Sequence, residues 1–166
     1  MMPQPDQLTA LRFVWAALDD PLAQPLLTGL AAEYAQRYGS TEQVVLGWLR
    51  DHTAAEFAPP DGGLLIGLLD GVAVTGGGFC RFDAQTAELK RIWTDDAHRR
   101  RGFAAALLGE LEAEIAARGY RRVYLMTGDR QPEAEALYHA TGYTRLAEPL
   151  PSTGPVFPVA FVKELP

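Results

Sequence analysis

Residues 88–108 read ELKRIWTDDAHRRRGFAAALL, and the change of period inside this stretch decides the fold. Ala87 to Thr94 reads as a strand and Asp95 to Arg101 as a polar loop. From there Phe103, Leu107, Leu108, Leu111 and Ile115 recur at helical spacing, with Glu110, Glu112, Glu114 and Arg118 on the other faces. Gly119 suits the stop of that helix. A strand that feeds a helix through a short loop leaves the helix N-terminus open, with unpaired backbone N–H groups and the positive end of the dipole outward. Such an end binds a pyrophosphate. Gly102, Ala104 and Ala105 let phosphates approach the backbone, and Arg99, Arg100 and Arg101 add charge-assisted donors. The stretch therefore predicts a phosphate cradle.

Working outward toward the N-terminus, Thr86 to Thr94 is the third of three strand-like runs, after Leu64 to Leu69 and Val72 to Phe82. Asp70-Gly71 between the first two is a two-residue hairpin turn of type I′, so the three form a meander. Gly76-Gly77-Gly78 lies inside the second run, without the helix and the Lys-Ser/Thr of a P-loop; it marks a bulge or a close backbone approach. Before the meander come a strand over 10–16, a helix over Leu22 to Arg37 opened by Asp19-Asp20-Pro21, and a second helix opened by Ser40-Thr41-Glu42. After the cradle helix come a buried strand (Val123 to Thr127), a short helix (Pro132 to Ala140), a strand (Tyr143 to Leu146), a Pro-rich connection over 149–158 and a last strand, VAFVKEL. The order β-α-α-β-β-β-α-β-α-β-β predicts an α+β fold: a mixed, largely antiparallel sheet of about seven strands flanked by about four helices.

The chain has 166 residues, enough for one domain with a substantial core and too few for two, with the core expected over about 10–165. No stretch reaches the ~20 apolar residues of a membrane span, and MMPQPDQL lacks the features of a signal peptide; the expected location is the cytoplasm. Cys80 is the only cysteine, which excludes an intramolecular disulfide and a cysteine-built zinc site, and no metal is expected. Its strand-like setting, with no histidine near in sequence, makes it a structural thiol. The net charge of −6 lies wholly in the first half, where Arg12, Arg37 and Arg50 face nine acids up to residue 80. An acidic chain is a poor nucleic-acid binder.

Arg99-x-x-Gly102-x-Ala104 resembles the acetyl-CoA signature Q/R-x-x-G-x-G/A of the GNAT superfamily of N-acetyltransferases. The later stretch LMTGDRQPEAEALYHATGY (Leu125 to Tyr143) is similar to the family's next strand and helix, with its Leu-Tyr and Gly-aromatic pairs. The resemblance is strong over 87–146 and rests on element order before that. It implies acetyl-CoA as the acyl donor and an amine as acceptor, reacting directly in a ternary complex. It further implies a donor site formed by Ile92, Trp93, Thr94, Arg99, Arg100, Arg101, Gly102, Phe103, Ala104, Ala105, Gln131 and Tyr138. A backbone N–H near Ile92 and Trp93 would meet the oxyanion, and Tyr138 would donate a proton to the departing sulfur, unless its ring merely packs beside Leu137. Glu88 would be the general base, directly or through water. By strict alternation it shares a face with Lys90, so a surface ion pair is the competing reading, although relatives commonly carry a bulge here. Gln131 departs from the asparagine that relatives often have at its place.

The acceptor side is read from charge and aromatics. The acidic first half would favour a cationic amine by long-range attraction. Tyr34 and Tyr38, at i and i+4, form either an aromatic wall or core packing, and Phe157 can join from the Pro-rich connection. A small amine or amino acid is the expected acceptor; a protein lysine or N-terminus is the alternative, as is an acyl-CoA sensor without catalysis. His52, His98 and His139 read as loop or surface histidines. A homodimer is left open.

Overall fold

A computed structural model describes residues 10–51, 54–152 and 156–166, so His52 lies outside the described residues. Strand β1 (Arg12–Ala16) leads to Asp20, whose side chain accepts a hydrogen bond from the Leu22 N–H at 2.9 Å. That cap opens a single 3-10 turn at Pro21, which continues as helix α1 (Gln24–Tyr38) and ends at Gly39 with φ 70°, a left-handed conformation that glycine adopts without strain. Helix α2 (Glu42–Asp51) and an unforeseen 3-10 turn (Ala54–Phe57) follow. Strands β2 (Gly63–Leu69) and β3 (Val72–Arg81) meet at Asp70 and Gly71, both with positive φ, as a type I′ turn requires. Then come β4 (Thr86–Thr94), α3 (Phe103–Ala117), β5 (Arg122–Thr127), α4 (Pro132–Ala140), β6 (Thr144–Arg145) and β7 (Val159–Glu164). The strand expected over 143–146 is thus only two residues long, on the outer edge of the sheet.

The seven strands lie in the order β1-β2-β3-β4-β5-β7-β6. Every neighbouring pair is antiparallel except β4 and β5. One face packs on α3 and α4: Phe79, Ala87 and Leu89 of the sheet meet Leu107, Leu108, Leu111 and Ile115. The other face packs on α1 and α2, with Leu64, Ile66 and Trp93 against Leu26, Leu27, Leu30 and Leu49. A sheet covered on both faces is the mixed α+β architecture that the element order predicts. Each fully buried leucine contributes roughly 1.5–3 kcal/mol from the area it removes from water, before conformational entropy is subtracted. Among the described residues no helix is long and apolar enough to cross a membrane.

Candidate active site

The site begins with a break in the sheet. Strand β4 pairs with β5 from Thr86↔Arg122 to Leu89↔Leu125; both strands run on, to Thr94 and Thr127, without pairing to each other. A bulge sits at the point where they part. Gly76 pairs with Trp93 and Gly78 with Lys90, so Arg91 and Ile92 together face the single residue Gly77. A side chain on Gly77 would strike Ile92, and one on Gly78 would strike Phe57 at 2.7 Å, so the glycine run supplies the close approach that its sequence suggests. Arg91 takes φ 64° there. A non-glycine residue in this region costs about 1–3 kcal/mol and persists only where its surroundings hold it.

The bulge also turns a side chain over. Leu89 faces α3, while Glu88, opposite Cys80, and Lys90, opposite Gly78, face the α1–α2 side. Strict alternation would send Arg91 to the α3 face with Leu89. Instead its guanidinium carbon lies 5.1 Å from the Trp48 ring centroid and 5.9 Å from that of Phe57, on the α1–α2 side, and Ile92 takes the α3 face. A bulge re-aims side chains in this way.

On the α3 side the gap opens into a groove of about 520 Å³, lined by Ile92, Trp93, Thr94, Arg99, Arg100, Gly102, Phe103, Ala104, Ala105, Gln131 and Tyr138. All the expected donor-site residues are there except Arg101, which does not line the groove. Gly102 stands at the N-cap of α3 with φ 82° and Arg100 precedes it with φ 63°. No side chain caps this end, so its first amides are open to an anion. The three arginines, equivalent in the sequence, differ in the fold. Arg100 is exposed, whereas Arg99 is tied to Glu33 at 3.0 Å and to Asp96 at 3.3 Å. Trp93 and Phe103 are core residues, 6 % and 1 % exposed. Trp93 fills the space over Gly29, where a Cβ would strike its indole.

Tyr138 is buried between the rings of Tyr143 and Phe161, both 5.6 Å away, and also borders the groove. Burial raises its pKa well above that of an ordinary phenol, so it holds its proton at neutral pH. Among the described residues its hydroxyl has no hydrogen-bond partner.

On the α1–α2 side the same gap opens into a second cavity, of about 400 Å³. Leu89, Lys90, Arg91, Met126 and Thr127 line both, so β4 and β5 form a shared wall. This cavity gathers Glu88 with Tyr34, Tyr38 and Phe157, the aromatics expected on the acceptor side, and adds Trp48. Tyr34 and Tyr38 meet edge to face at 6.4 Å, and Phe157 meets Trp48 at 6.2 Å. Burial pushes the Tyr34 hydroxyl up to about 12. The Glu88 carboxyl is also raised, by burial first, with Lys90 opposing and Glu56 adding to the shift. The competing ion pair between Glu88 and Lys90 does not form.

The end of α1 is clasped to the segment that follows β5. Arg37 at the end of α1 donates to the Arg130 carbonyl at 2.8 Å and to Glu133 at 3.0 Å, and Gln131 donates to the Tyr38 hydroxyl at 3.3 Å. Gly128 leaves room for that hydroxyl, which any Cβ would strike. Cys80 is buried, with its thiol pushed up to about 12, so it is not a thiolate at neutral pH. His98 pairs with Asp95 at 2.8 Å in the loop and borders the groove; His139 is exposed against Phe161. Strand alternation puts Lys90 on the Glu88 face, where it is found, but sends Arg91 to the wrong one. The signal was the glycine run opposite them, which forces the bulge.

Solved structures share this fold. An acetyltransferase of the GNAT family from Staphylococcus aureus superposes with a TM-score of 0.74 at 16 % identity, over 95 % of this chain and 100 % of that one. The PaiA N-acetyltransferase of Thermoplasma acidophilum, in complex with coenzyme A, gives 0.71 at 14 % identity, over 93 % and 99 %. A GNAT family acetyltransferase of Elizabethkingia anophelis, with acetyl-CoA bound, gives 0.64 at 16 % identity, over 94 % and 99 %. No curated protein matches the sequence. The model of the Acetyltransferase (GNAT) family matches residues 27–143, from α1 past α4 and so across the whole splayed pair of strands; the chain belongs to that family.

Proposed function

We propose that the protein transfers the acetyl group of acetyl-CoA to the primary amine of a small acceptor by direct attack in a ternary complex. The observation that carries this reading is the pair of cavities meeting across one wall, an open helix N-terminus on one side and a half-buried carboxylate on the other. The Elizabethkingia and Thermoplasma proteins, which hold acetyl-CoA and coenzyme A on the same fold, support the choice of donor. The donor supplies a thioester, whose carbonyl is open to attack by a neutral amine.

The open amides of α3 and the side chain of Arg100 bind the pyrophosphate. Beyond Leu89 the edge of β4 that faces β5 has no strand beside it, so a backbone N–H near Ile92 or Trp93 is free to meet the oxyanion. Glu88 takes a proton from the amine, directly or through water; a raised carboxyl pKa brings it closer to the range in which a base works at neutral pH. As the C–N bond forms and the C–S bond breaks, the proton from the amine leaves through Glu88 to solvent, and Tyr138 donates its proton to the sulfur and regains one from solvent as the products leave. The single buried thiol suits a reducing compartment such as the cytoplasm.

Release of free thiol from acetyl-CoA across a panel of amines tests the reading. Turnover with small amines is the expected result. Turnover only with peptide or protein lysines would overturn the acceptor class, and binding of acetyl-CoA without thiol release on any amine would leave a sensor in place of an enzyme.

A further inference from the structure

Resting on the transferase reading, one residue of the second cavity points to a narrower class of acceptor. Arg91 is 8 % exposed and borders the cavity, yet it makes no hydrogen bond or ion pair with a described residue. Its Nε and Nη2 are shut off from solvent and unpartnered. Glu56 is a carboxylate whose charge bears on it, but the two form no ion pair and the Glu56 Oε2 is itself unpartnered. Trp48 and Phe57 stabilise the cation through their ring faces, but a ring face satisfies no N–H on the guanidinium edge. An arginine cannot shed its charge to escape burial. A buried cation with no hydrogen bond or ion pair among the described residues is expensive, and here a strained left-handed backbone at a bulge delivers it to this place.

We propose that Arg91 is the anion-binding residue of the acceptor cavity and that the acceptor is an amine that also carries a carboxylate, of the size of an amino acid. The guanidinium is a permanent cation held against the cavity wall, and a carboxylate brought there meets it through a charge-assisted hydrogen bond. Glu88, on the same cavity wall, meets the amine end. The intervening walls, Tyr34, Val44, Trp48, Met126 and Phe157, suit an apolar side chain. The cavity thus has an acidic and a basic station, where the charge of the whole first half suggested only a cation.

The test sets L-phenylalanine, L-leucine and L-methionine each against its own carboxamide. Binding is measured by calorimetry on the protein saturated with coenzyme A, beside thiol release from acetyl-CoA. For at least one pair the free acid is expected to bind about thirtyfold or more tightly than its amide, as for a charge partner lost from a buried pair. Arg91→Met should bring that ratio to about one, and Arg91→Lys should keep part of it. The wild-type comparison stands even where a variant does not fold. Acid and amide binding alike, no acid binding at all, or a ratio that survives in Arg91→Met would overturn the proposal. Selective binding of acids without thiol release would uphold the anion site and sink the transferase reading. Thiol release with acids and amides binding equally would do the reverse.

Discussion

The two sides of the splayed β4–β5 wall solve opposite electrostatic problems. On the α3 side the charge to be received is negative and the protein offers it mainly backbone, the open first turn after Gly102, with the exposed Arg100 beside it and Arg99 already committed to Glu33 and Asp96. On the α1–α2 side the protein uses side chains, Glu88, Lys90 and Arg91, set among aromatic rings. The first side tolerates exposure because dipoles and amides need no counter-ion. The second holds charged side chains without ion pairs among the described residues, Arg91 buried and Glu88 and Lys90 half-buried, which is costly without a bound partner. An open backbone end is a general anion site, whereas buried, unpaired side chains discriminate between ligands.

Mutations separate the two sides. Tyr138 serves the groove side, and Tyr138→Phe should lower kcat roughly 10²–10⁴-fold, the range for general acid–base groups, while affinity for acetyl-CoA stays close to that of the wild type. Unchanged turnover would return the residue to plain packing against Tyr143 and Phe161.

Glu88 serves the cavity side, and Glu88→Gln should cost about a hundredfold at pH 7, near the lower end of that range because water can take over part of the task. Burial raises the carboxyl pKa, so the base form is lost on acidification at a higher pH than for a free glutamate. The wild-type rate therefore falls on the acid side through that raised value. The variant should lose this limb of the pH–rate profile; a profile of unchanged shape would assign the base elsewhere.

The seam between the two sides is testable at Gly77. Gly77→Val forces a side chain against Ile92 where the bulge leaves no space, and overpacking of this kind should cost roughly 1–3 kcal/mol in chemical denaturation. It should also impair both sides at once, raising KM for donor and acceptor together; a change in one KM alone would contradict a shared wall.

The smallest effect belongs to the clasp. Arg37→Ala should lower stability by less than about 1 kcal/mol, since its Glu133 partner is on the surface. Arg37 holds the Glu133 carboxyl below the usual carboxylate range. The contribution of the pair is therefore full above the ordinary glutamate pKa and lost as pH falls through the depressed one. Thermal unfolding of wild type and variant should converge on acidification; a constant difference would remove the ion pair as its source.

The fold was legible wherever periodicity and turn chemistry agreed. Asp70-Gly71 takes the two positive φ angles its composition called for, Asp20 caps its turn, and Gly119 ends α3 with φ 94°. The phosphate end of the groove was legible for a related reason: ten of its lining residues fall between Ile92 and Ala105, so a local motif describes that part. Even there the sequence could not divide the arginines, because the partner of Arg99 is Glu33, sixty-six positions away. The second cavity is assembled from α1, α2, β4, the 126–131 segment and the connection that carries Phe157. Tyr34 and Tyr38 could be guessed from i, i+4 spacing. Arg91 could not, since one extra residue in the strand reverses the face that alternation assigns.

The central claim is that donor and acceptor meet across the wall at the same moment, with no acetyl group parked on the protein. Initial rates measured while acetyl-CoA and a working acceptor are varied against each other test this most directly. Intersecting double-reciprocal lines, with no acetyl adduct on the protein by intact mass, are the predicted result. Parallel lines with an acetylated side chain would contradict it and move the chemistry to a covalent acetyl-protein intermediate.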